Sequence, residues 1–284
     1  MSVTFIFHFY TVMGYPNSII KHLHKYSHFI KDKDVLTLGV LYQSKEISRD
    51  LRNMGLGNVM ASPKKSFSKN YLGQTLHAKS VSSMDVDNYQ GAEIIANLNK
   101  EINKELVEKF DTIIDSGTLE HLSNFPTALK NIMKMLRVNG TYHFLLPVNN
   151  WVDHGFFQFS PTFFIDLCKH NSHIQPEKFF YGTHKYFVNY SELDKYGKRA
   201  FERASRQIFI GGVLRKINND EITFDLTQSK YVEAYRKDSY KQTDIKTMIS
   251  KDSRDISSII RGAFSKIPLL SLEMKLFILN AKRH

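Results

Sequence analysis

Between residues 110 and 147 the apolar and polar positions change period in a way that predicts strand, loop, helix and strand. Thr112-Ile113-Ile114 is a short apolar run, too short for a helix, and reads as a buried strand. Asp115-Ser116-Gly117-Thr118 follows, setting a carboxylate, a hydroxyl and a glycine just past the strand's carboxyl end. In an open α/β sheet that is where ligands bind. Behind Pro126, which suits a first helical turn, Leu129, Ile132, Met133 and Leu136 recur at i, i+3, i+4 and i+7. Gly140 is expected to stop this helix, with Lys134 and Arg137 in its last turns, where cations complement the helix dipole. A second strand, 141–146, ends at Pro147, and the crossover between the two is expected to be right-handed.

The same alternation extends in both directions. Residues 13–34 read as a turn and a helix, with Ile19, Ile20, Leu23, Tyr26 and Ile30 at helical spacing and His22, His24 and His28 as exposed imidazoles. Residues 34–39 form a strand ending in Gly39, and 45–54 a helix closed by Gly55-Leu56-Gly57. Residues 58–80 are polar, with Lys64, Lys65 and Lys69, and read as a long loop. Strands at 79–86 and 94–99 and a helical turn at 103–110 lead into the central unit. After Pro147 come a polar and aromatic loop, a helix from Ser160-Pro161, and late strands at 174–181 and 206–215. Gly211-Gly212, inside the second of these, suggests a bulge or a close backbone approach. The order predicts a doubly wound, mostly parallel α/β sheet with a final antiparallel strand. Three parts are expected: an N-terminal segment at 1–33, the α/β domain at 34–219, and a helical C-terminal appendage at 220–284. A basic, Tyr-rich insert occupies 182–205.

Composition narrows the setting. The net charge is +11, but it divides as +4 over residues 1–150 and +7 over 151–284, with no block of five like charges. A diffuse basic surface is the expectation, without a nucleic-acid tail. Peripheral contact with an anionic membrane stays open. Cys168 is the only cysteine, which excludes an intramolecular disulfide and a thiolate metal site and favours a reducing, cytoplasmic setting. The apolar run 3–12 contains His8 and falls far short of the ~20 residues a membrane-spanning helix needs. No metal-ligand spacing such as HExxH is present, so no metal is expected.

Three separated blocks carry a resemblance. Asp85 through Asn99 (DVDNYQGAEIIANLN), Asp115-Ser116-Gly117-Thr118-Leu119-Glu120-His121, and His154-Gly155-Phe156-Phe157-Gln158-Phe159-Ser160-Pro161 resemble, in order, class I S-adenosylmethionine-dependent methyltransferases. They are most similar to the bacterial subgroup associated with surface-glycan and other small-molecule biosynthesis. The resemblance spans residues 34–215. It implies a Rossmann-like fold, S-adenosylmethionine as cofactor, and a small-molecule or glycan-precursor acceptor with no specific nucleic acid. It further implies that Thr37, Leu38 and Gly39 border the methionine moiety and that Asp85 takes the ribose. Asn97 and Leu98 would lie by the adenine, with Asp115, Ser116 and Gly117 lining the cofactor. His121 and His154 become candidate general bases, because a hydroxyl acceptor benefits from a group with a near-neutral pKa. The chain departs from the family's DxGxGxG-like first loop, with Thr37 at the acidic position and Val40-Leu41-Tyr42 beyond Gly39, and carries Asn97 where Asp is usual. Those departures motivate an alternative, a catalytically degenerate binding or scaffold protein on the same fold.

Overall fold

The computed structural model describes residues 17–41, Asn53, 68–183, 187–189 and 207–229. The helix expected at 45–54, most of the basic insert and the helical pieces after residue 229 lie outside them. One compact unit runs from Met1 to Thr227 and a second from Gln228 to His284; the sheet and its loops belong to the first.

Eight strands form one sheet: β1 (Asp34–Leu38), β2 (Ser80–Asp85), β3 (Ile94–Ile95), β4 (Phe110–Ser116), β5 (Leu136–Asn149), β6 (Ile174–Gly182), β7 (Phe187–Asn189) and β8 (Ile208–Lys216). Their spatial order is β3-β2-β1-β4-β5-β8-β6-β7. β1 to β5 are mutually parallel, β8 runs antiparallel between β5 and β6, and β7 runs antiparallel to β6. The first five therefore take the 3-2-1-4-5 order of a doubly wound nucleotide-binding sheet, with the topological switch between β1 and β4.

Both faces are covered, and the period-2 alternation of the strands sorts side chains between them. Leu36, Leu38, Ile113, Tyr142 and Phe144 face one core, with α2 (Phe125–Met135) and α3 (Pro161–His170). Val35, Ile114, Leu145, Phe180 and Phe209 face the other, with α1 (Asn17–Lys25). Gly211 and Gly212 admit rings against the sheet: a Cβ would stand 2.0 Å from Phe180 at Gly211 and 2.8 Å from Phe144 at Gly212. The ladder's register shifts fall at Pro147/Asn149 and Pro176/Lys178, so the glycine pair serves close approach.

Some expectations change. α2 ends at Met135, and β5 already pairs Leu136 with Phe110 before a shift to Thr112–Thr141. Gly140 lies inside that strand, where a Cβ would meet the carbonyl oxygens of Arg137 at 2.8 Å and Asp111 at 3.0 Å. Arg137 is an ion-pair partner of Asp34 and Asp111, not a dipole cap. Residues 58–67 of the polar stretch lie outside the described residues; in the rest, Lys69–Thr75 is a π-helical turn burying Tyr71 and Leu72, and the Tyr71 hydroxyl donates to the carbonyl of Ile20 at 3.0 Å. His22 is buried, while His24 and His28 are exposed. β3 is two residues long, so Asn97 and Leu98 follow it in a turn. At the far end, Ile222 packs into the core and Asn171 exchanges hydrogen bonds with the backbone of Thr223. No helix of the described residues is long and apolar enough to cross a membrane.

Candidate active site

β1 to β4 end at the same edge of the sheet, and two loops meet there beside the switch point. After β1 the chain turns at Gly39, whose φ of +79° suits a residue without a Cβ. The Gly39 amide donates to Met84 at 2.7 Å, and the Thr37 hydroxyl donates to the carbonyl of Gly39 at 3.0 Å. Across the switch point the Thr118 hydroxyl donates to the carbonyl of Leu38 at 3.0 Å, tying the β4 loop to the β1 loop. Thr37 and Leu38 are buried, and Thr37 directs its hydroxyl into its own turn.

The β4 loop is organised by Asp115. One carboxylate oxygen accepts from the Thr118 amide at 2.8 Å, and the other accepts from the Tyr142 hydroxyl at 2.8 Å. Burial, then the charge of Glu120, raise the Asp115 carboxyl to about 7 against the pull of Tyr142 and the loop amides. The Tyr142 phenol is driven upward by the same burial and by Asp115. Asp115 thus shapes the loop from beneath, while Ser116, also buried, ends the strand and Gly117 turns the chain at φ +94°.

Leu119–His121 form a short 3-10 turn that carries Glu120 and His121. A Cβ at Gly117 would stand 3.1 Å from a Glu120 carboxylate oxygen, and one at Gly155 would stand 3.0 Å from Glu120 Cγ and from its carbonyl oxygen. Two glycines therefore make room for one glutamate. The Glu120 carbonyl accepts from the amides of Phe156 and Phe157, which fixes the loop after β5 onto the loop after β4. That second loop turns at Asn150 and Asp153, with φ of +62° and +63°, conformations such residues tolerate best after glycine. It delivers His154, whose ring lies against Trp151 and edge-on to His121, with centroids at 4.5 and 5.0 Å.

The result is a carboxylate faced by two imidazoles. Glu120 is 1% exposed, His154 17% and His121 33%. The Glu120 Oε1 atom is 3.5 Å from His154 Nε2 and 3.9 Å from His121 Nε2. Glu120 Oε2 and His121 Nε2 are buried without a hydrogen-bond partner. Burial holds His121 below the usual imidazole range, and Glu120 only partly offsets it. Among the described residues these three are the group able to converge on one metal ion. Val152 and Phe156, 90% and 71% exposed, give the adjoining loop an apolar rim.

Toward β2 and β3 the edge has a different character. Asp85 is half-buried at the end of β2; its carbonyl accepts from the Ala96 amide and its carboxylate from the adjacent Val86 amide. Val86, Tyr89 and Ile95 are exposed beside it. Asn97 is exposed, its side chain accepting from the Asn99 amide at 3.0 Å, and Leu98 is buried at 5%. A half-buried carboxylate beside exposed apolar side chains fits a ribose and a planar base. This half of the edge is therefore compatible with a nucleoside-containing cofactor.

The structure brings His121 and His154 together with Glu120, which the spacing of the sequence does not single out. The readable signals were the Leu119-Glu120-His121 run itself and the glycines at 117 and 155. Tyr142, the partner of Asp115, lay hidden in an apolar strand.

No protein-family model matches the chain, and no curated protein matches it. Solved structures similar to it include the 1,6-didemethyltoxoflavin-N1-methyltransferase of Burkholderia thailandensis, crystallised with 1,6-didemethyltoxoflavin and S-adenosylhomocysteine, at 14% identity over 73% of this chain and 80% of that one, with a TM-score of 0.41. The N-methyltransferase NodS of Bradyrhizobium japonicum matches at 12% identity over 72% and 97% of the two chains, with a TM-score of 0.41. The [4+2]-cyclase SpnF matches at 10% identity over 70% and 80%, with a TM-score of 0.44. Likenesses this distant leave the function to be argued from the residues.

Proposed function

We propose that this chain transfers a methyl group from S-adenosylmethionine to a small-molecule or glycan-precursor acceptor. The observation that carries the reading is the junction at the switch point, where the Gly39 turn, the Asp115-ordered loop and the Glu120–His121–His154 cluster share one edge of a 3-2-1-4-5 sheet. Asp85 would hold the ribose hydroxyls, Asn97 and Leu98 would flank the adenine, and the backbone of residues 37–39 and 115–117 would border the rest. Bound there, the cofactor supplies an electrophilic methyl group on a sulfonium.

Methyl transfer is an in-line displacement, so most of what the protein contributes is alignment of acceptor against donor. The loop after β5 suits that role, because Val152 and Phe156 offer apolar surface and Gly155 is pinned on Glu120. A hydroxyl acceptor must also shed a proton. His121, held uncharged at neutral pH by its burial, and His154 beside it can take one, with the Glu120 carboxylate stabilising the imidazolium that forms.

Calorimetry with S-adenosylmethionine and S-adenosylhomocysteine tests the reading, and no heat at millimolar ligand would sink it. If binding is present, Asp85→Ala is expected to weaken it about tenfold or more with an unchanged melting temperature, the scale of losing a hydrogen bond to a buried ligand. Thr37 favours a second reading. Its inward-turned hydroxyl stands where the family places an acid, so a chain that binds the cofactor poorly and serves as a scaffold is the alternative. A folded protein that gives no heat with either ligand and no turnover on any sugar, amine or carboxylate acceptor would support it.

A further inference from the structure

We infer that Glu120, His121 and His154 form a binding site for one divalent transition-metal ion at the acceptor side of the sheet edge. One ligand atom from each residue lies within 4.8 Å of the others. An ion with bonds of ~2.0–2.2 Å to imidazole nitrogen and carboxylate oxygen holds its ligand atoms roughly 3–3.5 Å apart. The two approaches to Glu120 Oε1, 3.5 and 3.9 Å, are too long for charge-assisted hydrogen bonds; the first matches that spacing and the second is within about 0.5 Å of it.

Two further features separate this cluster from a simple ion pair. Glu120 Oε2 and His121 Nε2 are both buried with no hydrogen-bond partner, an arrangement that costs stability unless something else satisfies the atoms. Gly117 and Gly155 also leave the space beside the glutamate side chain unfilled by any Cβ. Two imidazoles and one carboxylate suit zinc, cobalt, manganese or iron, and they exclude the thiolate-rich sites of purely structural zinc. Three protein ligands would leave a position open for water or an oxygen of the acceptor. In the metal-loaded protein the two histidines are ligands, and their part as proton acceptor belongs to the metal-free form. Ion binding needs neither cofactor nor acceptor, so it stands or falls apart from the methyl-transfer reading.

The test uses the full-length chain, stripped with a chelator and titrated with Co(II). The expected result is ligand-field absorption that saturates at one equivalent and is displaced by Zn(II). Glu120→Gln and His154→Ala should each weaken binding at least tenfold, whereas His24→Ala, at an exposed position, should leave it unchanged. A second measurement needs no variant. Diethylpyrocarbonate modification, mapped by peptide mass spectrometry, should show Zn(II) protecting His121 and His154 while His24 and His28 continue to react. Cobalt spectra identical in wild type, Glu120→Gln and His154→Ala, or zinc that protects neither His121 nor His154, would overturn the site.

Discussion

Among the described residues two pairs of histidines meet ring to ring, and they differ in what surrounds them. His22 and His143 meet with ring centroids 5.7 Å apart, walled by Phe180, Phe29 and Tyr26. His121 and His154 meet at 5.0 Å across a buried carboxylate. Burial, then the charge of Lys25, drops His22 to about 3; burial, then neighbouring cationic groups, drives His143 well below its ordinary value. Without an acid beside them these two are uncharged core side chains. At the other pair Glu120 pulls the opposite way, keeping His121 nearer the range in which it can exchange protons. Aromatic packing makes a histidine inert, and a carboxylate makes it useful.

Acid breaks the first pair, and this is the largest effect expected. A group whose folded pKa is depressed contributes stability that is present above its unfolded value and lost as pH falls toward the folded one. For His22 that window runs from 6.5 down to about 3. Each such histidine steepens the loss by ~1.4 kcal/mol per pH unit, because the unfolded chain takes up a proton the folded one refuses. His22→Leu should therefore flatten the pH dependence of urea unfolding between pH 6 and 4. A slope identical to wild type would mean that His22 is solvated and that the contrast between the pairs is false.

Asp115 works against those histidines within much of the same pH window. Its folded pKa of about 7 exceeds the ordinary 3.8, so its contribution to stability is present below 3.8 and is lost as pH rises through 7. Asn at this position can still accept from the Thr118 amide and can donate to Tyr142. Asp115→Asn should thus match wild type near pH 4 and exceed it by ~4 kcal/mol at pH 8, the rise from 3.8 to about 7 taken on the same conversion. Chemical denaturation at the two pH values decides it, and a variant weaker at pH 8 would show that the folded loop stabilises the carboxylate over its protonated form.

How far the sequence announced these arrangements depends on the range of the interactions. The strand–loop–helix–strand unit was legible because Ile113, Ile114, Leu129, Ile132 and Met133 repeat with the periods that burial imposes locally. The Asp115 loop was legible as a strand-end carboxylate. Two close approaches were misread or half-read. Gly140 looked like a helix stop, but it is needed because Arg137 and Asp111 carbonyls crowd it, and Asp111 lies in another strand. His22 looked exposed because helical spacing does not reveal that a second element, β5, presents His143 to its other side. The Glu120–His154 contact spans two loops, and nothing local in either loop requires it.

The acceptor-side pair should respond to a smaller intervention. If the imidazoles accept the proton, the acid limb of the kcat/KM profile lies below 6.5, reflecting the depressed His121 of the free protein. His121→Ala should then lower kcat by ~10²-fold or more, the usual worth of a positioned base. KM should change little. A variant that changes KM alone would assign His121 to acceptor binding instead.

The smallest expected effects compare the two glycines that frame the switch point. Both take positive φ, so an L side chain at either costs ~1–2 kcal/mol in backbone strain. At Gly39 a new Cβ would sit 3.7 Å from the Thr118 hydroxyl, an ordinary contact, and strain is the whole cost. At Gly117 it would sit 3.1 Å from the Glu120 carboxylate oxygen that faces the histidines, so that oxygen must shift. Gly39→Ala and Gly117→Ala should therefore lower the melting temperature by similar amounts, with only Gly117→Ala altering the acid limb set by His121. Equal effects on that limb would mean that the β1 turn and the β4 loop move as one body, joined by the Thr118–Leu38 hydrogen bond, and that the donor and acceptor halves of the edge are mechanically a single site.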